Sequence, residues 1–198
     1  MMRRGWLNKF VRVGAVKGVP ISVHWTVPAI CIFILGVQIE HVLTSAAGLL
    51  AYLCMLAVHE LGHQLVGQSR GYQVIRIEIY PLHGLCILDR PEAGIDAALV
   101  AVGGATAQFI VAVPFILYRM LFGYTGLEPA NAFIAILGFF SPAIALFNLL
   151  PIPPLDGAKF WPVVPLLFRG RWRRGGRSDR ADLLKEFEEI ARKVNRSR

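Results

Sequence analysis

Residues 44–66, TSAAGLLAYLCMLAVHELGHQLV, run for 23 positions with a single charged side chain, Glu60. At 1.5 Å of rise per residue, a helix of that length reaches about 34 Å, enough to cross the roughly 30 Å hydrocarbon core of a bilayer. Backbone surrounded by lipid must satisfy its own hydrogen bonds, so such a run has to be helical. Two further stretches, 93–121 and 132–150, have the same character, and a fourth, 25–39, is short for a span unless its flanks are drawn in. The chain is 55% hydrophobic and 17% charged, against roughly 25% charged in soluble domains. A soluble fold of 198 residues cannot hide that much apolar surface. The expected fold class is an all-α polytopic membrane protein with about four transmembrane helices.

The distribution of Lys and Arg orients the spans. Five lie before the first helix, at Arg3, Arg4, Lys9, Arg12 and Lys17, and none lies between the first two. Arg70, Arg76 and Arg90 occupy the 67–92 loop, no basic residue follows Arg119 before the fourth span, and twelve lie beyond Pro151. By the positive-inside rule both termini and the 67–92 loop face the cytoplasm, which places the protein in the cell membrane as a multi-pass protein. The net charge of +8 sits in end blocks rather than on a patch interleaved with aromatics. It therefore points to anionic lipid and not to nucleic acid. The basic N-terminus precedes an apolar run without a small-residue cleavage site, which suggests an uncleaved first helix. Cys31, Cys54 and Cys86 are scattered and odd in number, and read as reduced packing residues.

The 67–92 loop carries VIRIEIY, in which Ile75, Ile77 and Ile79 alternate with Arg76, Glu78 and Tyr80. That period of two predicts a strand, PLHG a turn and LCILD a returning strand, giving a small β-hairpin on the cytoplasmic side. The plainer alternative is an interfacial loop with accidental alternation. After the fourth span, residues 158–168 are apolar, contain Pro162 and Pro165, and are too short to cross; they fit a re-entrant or interfacial segment. Residues 1–168 then form a membrane-embedded domain, and 169–198 a basic hinge followed by a cytoplasmic amphipathic helix. Leu183, Leu184, Phe187, Ile190, Ala191 and Val194 make one apolar stripe on that helix. Such a stripe can lie on the membrane, dock on the cytoplasmic face, or pair with a second copy to make a homo-oligomer.

His59-Glu60-Leu61-Gly62-His63 is HExxH. Residues four apart share one helix face, so both imidazoles can reach one zinc ion, while Glu60 projects beside them as a proton acceptor for an attacking water. Each ionisable group near mid-membrane costs about 3 kcal/mol on insertion scales. Structural zinc returns about 10–16 kcal/mol, so a metal can offset three such groups. The alternative is a satisfied polar cluster between helices. Catalytic zinc normally takes three protein ligands. Asp156 follows the fourth helix on the cytoplasmic side, at the depth of the two histidines, within the proline-rich FNLLPIPPLDGAKF. Irregular backbone of that kind is tolerated in a membrane where it lines a cavity.

HELGH on one apolar helix, with N-x-x-P-x-P-P-L-D-G ending a later one, resembles the site-2 protease family of intramembrane zinc metalloproteases, and GVPISVHWT is similar to the opening segment of its compact bacterial members. The resemblance runs from about Gly18 to Gly157. It implies that His59, His63 and Asp156 bind zinc and that Glu60 is the catalytic base. It also implies a core of the second to fourth helices and a zinc metalloendopeptidase acting in regulated intramembrane proteolysis. Its substrates would be single transmembrane segments, such as those of anti-sigma factors or remnant signal peptides. The chain departs from the family in GGATAQ, where Ala105 stands for proline and Gln108 for asparagine, and in His83-Gly84, where two glycines are usual. Gln108 is accordingly a candidate for substrate positioning, and His83 for approach to the metal or a substrate carbonyl. Asn148 can hydrogen-bond an oxyanion or substrate backbone, or act only as interhelical glue. His24 reads as an interfacial anchor beside Trp25. The strand around Ile77 is a candidate edge for pairing with an unwound substrate. Two rival functions follow from other classes: a zinc transporter, and a non-catalytic scaffold that binds client helices.

Overall fold

The computed structural model describes residues 10–89 and 94–165, with Glu188, Glu189 and Arg192 beyond them. The amphipathic tail helix expected from Ser178 onward lies outside the described residues apart from those three positions, as does the end of the 158–168 segment.

The architecture is mostly helical with one small sheet. Strands β1 (Phe10–Val16) and β2 (Val19–His24) lead into α1 (Thr26–Val37), and a short 3-10 turn at Ile39–His41 leads into α2 (Val42–Ser69). β3 (Val74–Ile79) and β4 (Gly84–Leu88) precede α3 (Gly94–Phe122) and α4 (Glu128–Asn148), and a short helix, α5 (Gly157–Phe160), runs into a 3-10 turn at Trp161–Val163. Among the described residues three helices are long and apolar enough to cross a membrane: α2, α3 and α4. α1 has 12 residues, about 18 Å of helix, well short of the hydrocarbon thickness. The first of the four expected spans is thus a helix too short to cross alone.

The hairpin expected in the 67–92 loop is there as β3 and β4, but it is half of a four-stranded sheet ordered β1-β2-β3-β4. An all-α description with an isolated hairpin is corrected accordingly. β1 and β2 form a second antiparallel hairpin, and β2 pairs in parallel with β3 through Ile21 with Ile77 and Val23 with Ile79. The β1–β2 turn is Lys17-Gly18, both at positive φ, the backbone of a two-residue turn that matches strand twist. Ile77 and Ile79 are buried against Ala51, Met55 and Leu56 of α2 and Leu137 of α4. The sheet therefore packs on the middle of α2. The Tyr52 hydroxyl donates to the Pro81 carbonyl at 2.9 Å and pins the β3–β4 turn to the same helix.

α2 and α3 touch backbone to backbone. A Cβ at Gly62 would run into the Gly103 carbonyl, and one at Gly103 would lie 2.7 Å from the Val66 side chain. Small residues allow this approach where no hydrophobic effect drives helices together. In α4, Ile136–Phe140 is π-wound, and the Ser141 N–H reaches back to the Ile136 carbonyl. Pro142 explains the wide turn, since it has no N–H with which to continue the α pattern.

Candidate metal centre

α2 carries His59 and His63 one turn apart, and the loop after α4 delivers Asp156 against them. The two Nε2 atoms are 3.0 Å apart. Asp156 Oδ2 lies 3.0 Å from His59 Nε2 and 3.2 Å from His63 Nε2. Two ligands at about 2.0–2.1 Å from a tetrahedral zinc stand about 3.3–3.4 Å apart, so this triangle is nearly that of one face of a zinc site.

The outer nitrogens of both rings are engaged elsewhere. His63 Nδ1 lies 2.7 Å from the Val100 carbonyl, which can only accept, so this nitrogen carries the hydrogen. His59 Nδ1 donates in the same way to Gln108 Oε1 at 2.8 Å. Each Nε2 then presents a lone pair to the other and to a carboxylate oxygen. Three acceptors converging at such distances repel one another unless a cation sits among them, and the donor set of two imidazoles and one carboxylate suits zinc. The residues present fit the metal that the motif implies.

The rings rest directly on α3. A Cβ at Gly104 would come within 2.7 Å of His63 Nε2 and 2.8 Å of His59 Cε1. Glu60 is buried with the histidines, and the three side chains offer ligand atoms within 4.8 Å of one another. Its carboxylate accepts a hydrogen bond from the Cys86 backbone on β4, and a Cβ at Gly84 would collide with its side chain. The edge strand thus bounds one side of Glu60.

A cavity of about 750 Å³ opens over this group. Asn148, His83, Leu85, Leu155 and Lys159 all line it, together with Glu60, His59, His63 and Asp156. Asn148 and His83 therefore stand at the same cavity as the HExxH side chains. His83 stacks on Tyr80 at 4.8 Å, and Tyr80 stacks in turn on His24 at 5.4 Å. Burial and the neighbouring Glu78 carboxylate push the Tyr80 hydroxyl above its ordinary pKa, so it stays a donor to Glu78. His24 is a buried member of the sheet, with Nδ1 at 2.7 Å from Thr26 Oγ1 and its ring 5.9 Å from that of Trp25.

One expectation is corrected. Ile77 is not at an edge: it is 1% exposed and paired with Ile21 on one side and Cys86 on the other. Among the described residues β4 holds the edge position instead. Gln108 also lines the cavity, with both ends of its amide engaged: Oε1 is on His59 and Nε2 donates to Ser141 Oγ at 3.2 Å. Sequence reasoning passed over Gly104, Gly84, Ser141 and the Val100 carbonyl. Gly84 and Gly104 stand in the sequence only as parts of His83-Gly84 and GGATAQ, with nothing local to single them out.

No protein-family model matches the chain. It is 27% identical over 160 residues to a zinc metalloprotease of Methanocaldococcus jannaschii, covering 77% of this chain and 44% of that protein. A protein of Synechocystis, also named as a zinc metalloprotease, is 27% identical over 189 residues, covering 86% and 48%. Rip3 of Mycobacterium tuberculosis, named likewise, is 25% identical over 199 residues, covering 87% and 46%. The chain thus spans about half the length of these relatives. Among solved structures, the site-2 protease from Methanocaldococcus jannaschii shares the fold, with a TM-score of 0.63 at 22% identity over 79% of this chain and 71% of that one.

Proposed function

We propose that this member of the site-2 protease family of zinc metalloproteases is an intramembrane endopeptidase, which hydrolyses a peptide bond within or near a transmembrane segment of a membrane protein. The observation that supports this reading best is the convergence of His59, His63 and Asp156 beside a buried Glu60, in a cavity at apolar, membrane-length helices. Those three side chains would hold a zinc ion, which would supply Lewis acidity for activating a water molecule and a carbonyl.

Glu60 takes the proton of the attacking water and returns it to the departing amine. The Cys86 backbone and the close face of Gly84 hold its carboxylate in one orientation for both transfers. Asn148, on the cavity wall, donates its amide to the oxyanion. A helical substrate hides its carbonyls in hydrogen bonds and must unwind first, which glycine or proline near the scissile bond makes easier by about 1–3 kcal/mol per residue. Among the described residues β4 has a strand neighbour on one side only, and its residues Gly84, Leu85, Cys86 and Leu88 line the cavity. The unwound segment extends along β4 and regains backbone hydrogen bonds there. An open sheet edge is compatible with membrane depth when it faces such a cavity.

The substrates are single-span membrane proteins, anti-sigma factors or signal-peptide remnants among them. The protein sits in the cytoplasmic membrane with both termini and the site toward the cytoplasm, as the Lys and Arg distribution supports. α1 completes a four-helix membrane domain by drawing its flanks into the bilayer.

The test is reconstitution of the full chain with a panel of single-span substrates in lipid vesicles. Wild type yields truncated products, and Glu60→Gln keeps its zinc and yields none. Equal product from both proteins would refute the assignment.

A further inference from the structure

The two histidines are held in place by different means. His63 Nδ1 is bonded to a main-chain carbonyl, that of Val100 on α3, which no side-chain substitution removes. His59 Nδ1 is bonded to a side chain, Gln108, which is itself bonded to Ser141 on α4. We propose that Gln108 and Ser141 are a positioning pair for His59: they fix its ring orientation and the nitrogen that carries its hydrogen, and so make its inner nitrogen available to a divalent metal. This inference rests on the reading of His59 as a metal ligand.

The chemistry follows from which end of the amide faces the ring. With Oε1 toward His59, Nδ1 must carry the hydrogen, and Nε2 keeps its lone pair aimed at Asp156 and His63. With the amide reversed, its N–H would face Nδ1, the ring hydrogen would move to Nε2, and a proton would point into the triangle. In the structure the first arrangement is held at its far end by Ser141, whose Oγ receives the amide N–H at 3.2 Å. Gln108 and Ser141 are 1% and 2% exposed, and a buried amide without partners is costly. The π-wound turn ends at Ser141, whose backbone N–H reaches Ile136, while the side chain points across to α3. The length of glutamine matters as well. An asparagine at 108 is one methylene shorter and cannot span a gap closed here at 2.8 Å.

Zinc affinity of the purified full chain in lipid nanodiscs, by chelator competition, tests the pair. The absorption spectrum of the cobalt-loaded protein serves as a second readout. Gln108→Leu keeps the volume and removes the acceptor, and is expected to bind zinc about 10- to 100-fold more weakly, with a changed cobalt spectrum. Gln108→Glu restores an acceptor for Nδ1–H and is expected to recover most of the affinity. Ser141→Ala is expected to lose less than Gln108→Leu, and it carries the test if Gln108→Leu does not accumulate. Wild-type affinity and an unaltered cobalt spectrum in Gln108→Leu, or in Ser141→Ala where that variant stands alone, would overturn the pair. So would a loss in Gln108→Leu that Gln108→Glu does not recover, which is the mark of packing alone. A wild-type chain that binds no metal would instead remove the metal reading itself, and this inference with it.

Discussion

Replacing Gly104 by alanine adds one methyl group where α3 meets the two imidazoles. Its Cβ would stand 2.7 Å from His63 Nε2 and 2.8 Å from His59 Cε1, whereas ordinary contact begins near 3.4 Å. The rings or the helix must therefore give way by about 0.7 Å. The rings cannot do so freely, because their outer nitrogens are tied to Val100 and Gln108. Retreat of α3 from the rings is also a retreat from α2, and it would break the close backbone packing at Gly62 and Gly103. Metal–ligand distances tolerate about 0.2 Å, so the needed shift exceeds the tolerance several times. Overpacking of this kind costs about 1–3 kcal/mol, and if the metal-free protein relaxes while the loaded protein cannot, zinc binding weakens about 5- to 150-fold. Chelator competition on the purified variant measures that ratio, with circular dichroism confirming that helix content is kept. Wild-type zinc affinity in Gly104→Ala would refute the argument that the rings are wedged between two fixed helices.

Three further substitutions separate the parts of the site. Gly84→Ala pushes a methyl group into the Glu60 side chain; turnover is expected to fall at least about 10-fold, toward the 10²–10⁴ that a proton-transferring group contributes, while zinc content by atomic emission stays at wild type. Ile77→Ala empties a site that is 1% exposed and should lower thermal stability by about 2–5 kcal/mol; unchanged stability with lost substrate binding would instead restore Ile77 to the cavity edge. Gly62→Ala drives a Cβ into the Gly103 carbonyl, and is expected to cost about 1–3 kcal/mol of stability, read as a lowered unfolding midpoint in detergent.

The parts of this fold that were legible in the sequence depend on local periodicity. His59 and His63 are four apart on a helix, and that spacing alone puts their rings on one face. The alternation of Ile75, Ile77 and Ile79 was enough to find β3 and its partner. Period two is the same for a central strand and an edge strand, so it does not reveal that the pairing edge belongs to β4 and not to the strand of Ile77. β1 and β2 were hidden by their own charges: Arg12 and Lys17 read as a membrane flank, although Val11, Val13 and the Lys17-Gly18 turn carry a hairpin pattern. The site glycines were out of reach for a different reason. Gly104 and Gly84 matter only for what stands opposite them, His59 and His63 in one case and Glu60 in the other, and those juxtapositions come from tertiary packing. Gln108 was visible as a polar residue in an apolar helix, but its partners lie 49 and 33 positions away.

The most direct test is a structure of the zinc-soaked full chain with anomalous scattering recorded at the zinc edge. The expected result is one peak at about 2.0–2.2 Å from the Nε2 atoms of His59 and His63 and from an Asp156 carboxylate oxygen. A peak at other residues, or none beside those two imidazoles at saturating zinc, would contradict the account.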